Sequence, residues 1–133
     1  STPGRTLFPY TTLFRSIIHQ ALQHSGLKFQ YEKTLPLANR EYDIHPDFTI
    51  ELKNGKTIYW EHLGMLDMRK YYKDWQKRIV DYKENGLFDN VVTTDDMDGI
   101  KQDKIDALIE AIRTDNLKAD KNNRFSLHHY ELY

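Results

Sequence analysis

Tyr71, Tyr72, Trp75, Ile79 and Tyr82 recur at steps of three and four residues through positions 68–85, with lysines and arginines between them. That is the spacing of one apolar face on an amphipathic helix, and Gly86 supplies its stop. Ile105, Leu108, Ile109 and Ile112 repeat the pattern and predict a second helix over residues 103–112. Ile17-Ile18, Ala21-Leu22 and Leu27 predict a short helix over residues 17–25, closed by Gly26. Elsewhere the period falls to two. Phe29 and Tyr31 alternate with Gln30 and Glu32, predicting a strand before a loop at residues 36–39. A second strand spans residues 42–51, and a third starts at Thr57-Ile58-Tyr59-Trp60 and ends at Gly64. Between them stands Lys53-Asn54-Gly55-Lys56, and Asn-Gly flanked by β-prone residues is a strong hairpin signal. Val91-Val92 suits a short buried strand, so the predicted order is α-β-β-β-α-β-α, an α/β domain.

Composition narrows this picture without assigning a function. With 133 residues, 39% of them hydrophobic, the chain can bury one modest core. It has no cysteine, which excludes a disulfide framework and thiolate metal sites and fits a reducing cytoplasm. No run approaches the roughly 20 apolar residues of a membrane helix. The net charge of -1 gives no global pull toward nucleic acid. Any DNA contact must use a local basic patch, and Arg69, Lys70, Lys73, Lys77, Arg78 and Lys83 on the long helix are the candidates. The bland reading of the same residues is a solvated helix face.

Residues 6–16, TLFPYTTLFRS, break the pattern. Thr-Leu-Phe recurs around a Pro-Tyr with a single charge and no helical or strand period. The peptide is the codon-by-codon translation of a widely used short-read sequencing adapter, and Pro9 and the scattered threonines exclude a signal-peptide core. The expectation is a non-native leader over residues 1–16, a folded domain over 17–114, and a polar, then aromatic tail over 115–133. Leu13 and Phe14 are apolar enough to extend the first helix's buried face.

The residues with chemistry cluster between Ile44 and Gly64. Asp47 lies seven residues before Asn54, and Glu61 lies six after Gly55, so a tight hairpin brings both carboxylates to one end of the sheet. Two converging carboxylates form a hard-cation site suited to Mg²⁺ that retains several waters. The competing reading makes Asp47 a turn residue and Glu61 a solvated strand residue. His45 shares a strand face with Asp47, but alternation turns His62 away from Glu61, which argues against a zinc site. Asp95-Asp96-Met97-Asp98-Gly99 fails as a calcium loop: with Gly99 sixth, the first position is Thr94 and the twelfth is Ile105. The Tyr71, Tyr72, Trp75, Tyr82 stripe reads as core packing ahead of base stacking.

HPDFTI (residues 45–50), GKTIYWEHLGMLD (55–67) and Trp75 with Arg78 and Tyr82 at three and seven residues further on carry a resemblance. The chain resembles the PD-(D/E)XK nuclease superfamily, and more closely its nuclease-like domains seen alone or attached to UvrD-like helicases. The resemblance covers residues 17 to about 112 and implies a restriction-endonuclease-like core with a mixed central sheet. It further implies Mg²⁺- or Mn²⁺-dependent hydrolysis of DNA phosphodiesters by an in-line water. Asp47 and Glu61 would be the metal-binding acids, and the His62 carbonyl a third ligand. Two positions depart from the family. The lysine expected two residues after the acid is Leu63, so a basic group would come from the next helix, from Arg78 or Lys77. Relatives open the first helix with Ser-Glu before Ile-Ile, where this chain has Arg15-Ser16, and that glutamate would support the metal. An inactive nuclease-fold module that grips nucleic acid or a helicase partner is therefore the rival reading. A chain with an intact fold and no activity is a third.

Overall fold

The Asn54-Gly55 turn organises the sheet of the computed structural model, which describes residues 8–38, 40–96, 99 and 101–117. In chain order the elements are α1 (Phe8–Ser25), β1 (Lys28–Tyr31), β2 (Leu35–Pro36), β3 (Asp43–Ile44), β4 (Phe48–Glu51) and β5 (Thr57–Leu63). Then come α2 (Arg69–Glu84), a single 3₁₀ turn (Phe88–Asn90), β6 (Val91–Asp95) and α3 (Gln102–Arg113). At the turn, Leu52 N–H donates to Lys56 O at 2.8 Å and Gly55 N–H to Leu52 O at 3.0 Å. Gly55 takes φ +89°, a left-handed conformation that glycine adopts without steric penalty. The result is a three-residue hairpin loop that sets β4 and β5 antiparallel in the register Phe48↔Trp60 to Glu51↔Thr57.

The main sheet has the order β1-β4-β5-β6 and is mixed, because β6 runs parallel to β5 while the other pairs are antiparallel. Parallel neighbours need a long crossover, and α2 supplies it. Strand alternation then divides the apolar residues between two faces. Phe48, Ile50, Ile58, Trp60 and Val92 pack under α1 and α3. Tyr59, Leu63 and Val91 pack against Trp75, Ile79 and Tyr82 of α2, with Leu37 and Ile44 closing that side. Most of the aromatic stripe of α2 is therefore core: Trp75 and Tyr82 are buried and Tyr72 packs against their cluster, while Tyr71 lines a cleft.

The structure departs from the sequence reading in four places. The first helix begins at Phe8 rather than residue 17, and Phe14, Ile18 and Leu22 form one buried row at spacing four. Of the two leader residues expected to extend that row only Phe14 does so, since Leu13 is 51% exposed. The predicted strand over residues 42–51 is broken into β3 and β4. Pro46 has no N–H to give a ladder, and the Asp47 carbonyl instead accepts from Glu32 N–H at 3.0 Å. β3 pairs with β2 as a small separate hairpin, joining Pro36 of the expected loop to Asp43 of the expected strand. Asp115, the first residue beyond the predicted domain, ties the Asn54 turn to the end of α3 through Asn54 Nδ2 at 2.9 Å and Lys56 Nζ at 3.1 Å. Residues 1–7 of the leader, 118–133 of the tail, and Met97 and Asp98 of the acidic loop lie outside the described residues. Among the described residues no helix is long and apolar enough to cross a membrane.

Candidate functional site

The hairpin register carries the argument for a site. The paired ladder ends at Phe48↔Trp60, and the next step places Asp47 level with Glu61. Beyond the ladder's end a side chain continues the strand pairing: His62 N–H donates to Asp47 Oδ2 at 2.6 Å. The other carboxylate oxygen lies 3.2 Å from Arg15 Nε of α1. This is a charge contact whose N–H is not aligned for a hydrogen bond. Glu61 points into the α2 layer, where its Oε2 accepts from Arg78 Nη1 and from the Tyr82 hydroxyl, each at 2.6 Å. Arg78 and Tyr82 are four residues apart and so share one helix face. Both carboxylates are buried, at 7% and 6% exposure.

Electrostatics couples the two acids. Burial pushes the pKa of Asp47 above 3.8, opposed by Arg15, the His62 amide and Arg78. Burial likewise pushes Glu61 above 4.5, opposed by Arg78 and reinforced by Asp47. The Arg78 guanidinium is held charged: burial works against it, but Glu61 and Tyr82 outweigh that. An acid with a raised folded-state pKa holds more protons folded than unfolded between its ordinary and its raised value, so its contribution to stability falls as pH rises through that window. Thermal unfolding of wild type and Glu61→Gln across pH should show the wild-type advantage shrinking as pH rises above 4.5. An advantage that grows would contradict the raised pKa.

Beside Glu61 lies a cleft of about 260 Å³ whose lining includes Arg15, His62, Asp74, Trp75 and Arg78 but not Asp47. Its rim is the turn after β5, where Met65 takes φ +55° and its N–H donates to Asp96 Oδ1 at 3.3 Å. Arg78 thus stands where the sequence placed it. Lys77 does not: it is exposed, with Nζ 5.3 Å from the Tyr42 ring centroid. One residue is about 100° of helical rotation, which takes Lys77 off the face that carries Arg78. The His62 side chain turns to the α1 layer, as alternation requires, and stacks on Phe14 at 4.0 Å. Burial, then Arg15, depress its pKa to about 3, so the ring is neutral.

Among the described residues no group of three or more His, Cys, Asp or Glu side chains is placed to hold a metal ion. The hard-oxygen donors at this end of the sheet are the carboxylates of Asp47 and Glu61, level in register, and the main chain of His62, whose N–H holds Asp47. All are hard oxygens, and a hydrated Mg²⁺ commonly uses only one or two carboxylates from the protein. The donor set fits such an ion. Two buried carboxylates need positive charge, which Arg15 and Arg78 provide.

Sequence reasoning missed Tyr82 as a partner of Glu61, reading it only as core, and missed Arg15 as a partner of Asp47. The first was accessible from the spacing of Arg78 and Tyr82. The second needed α1 to extend past Ile17.

No family model matches the chain, and no solved structure matches it at a significant level. Over 63 residues the chain is 38% identical to an uncharacterized protein, MJ1519, of Methanocaldococcus jannaschii. That match covers 47% of this chain and 5% of the relative, so the chain spans a small fraction of the relative's length.

Proposed function

We propose that this is a restriction-endonuclease-like domain that hydrolyses DNA phosphodiesters with a Mg²⁺ or Mn²⁺ ion held by Asp47, Glu61 and the His62 carbonyl. The observation that supports it is the placement of Asp47 and Glu61 level in register at the end of the hairpin, both buried, with Glu61 lining a cleft. The mixed sheet with α2 crossing between β5 and β6 is compatible with that core. A bound divalent ion supplies polarisation of a phosphate oxygen and a lowered pKa for water.

The protein's own groups have separate roles. His62 N–H orients the Asp47 carboxylate, and Tyr82 with Arg78 orients Glu61. A guanidinium has five N–H donors, so Arg78 can hold Glu61 and still offer donors toward the cleft it lines. It stays charged throughout, which suits charge stabilisation and excludes it as a base. Lys73, exposed on α2, is a candidate phosphate contact, whereas Lys70 is ion-paired with Asp74 at 3.3 Å.

One observation favours the rival, a nuclease-fold module that grips nucleic acid or a helicase without cutting: both acids already carry arginine partners, and Leu63 replaces the family lysine. Plasmid and single-stranded DNA incubated with Mg²⁺ or Mn²⁺ separate the two. Cutting that stops on chelation is the expected result. Intact DNA with both ions, together with retained DNA binding, would replace the hydrolase reading with the rival.

A further inference from the structure

A polar cluster on the α1 side of the sheet takes no part in the chemistry above. The parallel register of β5 and β6 sets His62 level with Thr94, and Thr94 Oγ1 lies 2.8 Å from His62 Nδ1. The same hydroxyl accepts from Trp60 Nε1–H at 3.1 Å. An indole N–H can only donate, so the direction of that second bond is fixed.

The first bond then has two possible directions. If the imidazole donated through Nδ1, Thr94 would accept twice, and neither its own proton nor His62 Nε2 would have a partner in the cluster. If Thr94 donates to Nδ1, the hydroxyl is satisfied both ways and only the buried Nε2–H is left over. Leaving a buried polar group unpaired costs about 1–3 kcal/mol, so counting orphans favours the second arrangement, which puts the ring proton on Nε2. Stacking on Phe14, with ring planes 28° apart, closes the other side of the imidazole.

The consequence reaches Asp47 through the main chain. Residue 62 lies beyond the last β4–β5 pair, so no strand partner on that side fixes its amide. That amide is the donor to Asp47 Oδ2. We infer that Thr94 is a positioning residue: by locking the His62 imidazole as the Nε2–H tautomer, it fixes the residue 62 amide that aims the Asp47 carboxylate. Its importance for cleavage rests on the nuclease reading, whereas the geometry is testable without metal or DNA.

Nitrogen-15 NMR on the full chain at neutral pH reads both ends of this linkage. In wild type the His62 ring should show a protonated Nε2 and an unprotonated Nδ1, and the His62 amide proton should lie downfield, as a donor to a carboxylate does. A wild-type ring protonated at Nδ1 overturns the inference before any variant is made. Thr94→Val keeps the shape and removes the hydroxyl; it should lose the pure Nε2–H signature and move the His62 amide upfield. Thr94→Ser should restore both signals. A changed tautomer with an unmoved amide, or no rescue by serine, would show that Thr94 only packs. If wild type cuts DNA, Thr94→Val should lower cutting by about 10–100-fold, the range for outer partners of a metal ligand. In a protein that cuts nothing, the NMR signals still decide.

Discussion

Asp47→Asn ends divalent-ion-dependent cleavage of DNA under the proposed reading, with a loss greater than the roughly 100-fold that removing an outer partner of a metal ligand causes. Asparagine is the informative replacement. Its side-chain carbonyl can still accept from His62 N–H, the 2.6 Å bond that continues the ladder past Trp60. What it removes is the charge, and with it the attraction for a hard cation and for Arg15. Fold and hairpin register should survive, which circular dichroism and a retained unfolding transition would show. Asp47→Ala removes the acceptor as well, so it should lose both cleavage and some stability. Ion-dependent cutting by Asp47→Asn within a few-fold of the parent would dismiss the two-acid mechanism.

Arg78→Met should be among the most destabilising single changes in the protein. Glu61 would stay buried with only the Tyr82 hydroxyl to compensate its charge. Breaking a buried ion pair from one side costs about 3–5 kcal/mol. The Arg78 side chain is 31% exposed, which places the expected cost near the bottom of that range, at about 3 kcal/mol. For a chain of this size that corresponds to a drop in Tm of roughly 10–15 °C. Two further results should accompany it in thermal unfolding. The loss should shrink at acid pH, where Glu61 takes a proton and no longer needs a partner. Adding Glu61→Gln should recover part of the loss, since the two positions act as one unit. A pH-independent loss, or strict additivity in the double variant, would mean that Arg78 matters through its hydrocarbon packing alone.

The elements that were legible in the sequence had a sustained period. Residues 102–113 and 69–84 announce themselves through apolar positions at three and four, and Gly86, with φ +70°, closes the latter as expected. The hairpin was legible because Asn54-Gly55 has one dominant use. From it the level placement of Asp47 and Glu61 followed by counting, whereas Arg78 came from the family resemblance, which implies a basic group on the next helix. The illegible features were of other kinds. Two-residue strands such as Leu35–Pro36 and Asp43–Ile44 carry no period at all. The break at Pro46 was readable from its missing N–H, but the alternation around it masked the break. Lys77 shows how sharp the limit is, because a helix converts one position of error into a different face.

Position 14 shows how little the opening turns of α1 demand of their residues. What the row Phe14, Ile18, Leu22 requires of its first member is bulk and apolarity, both of which many unrelated peptides contain by chance. Charge is less forgiving. Arg15, one step round the same helix, stands 3.2 Å from Asp47, so an exchange there would leave the packed row intact and still change the charge beside that acid.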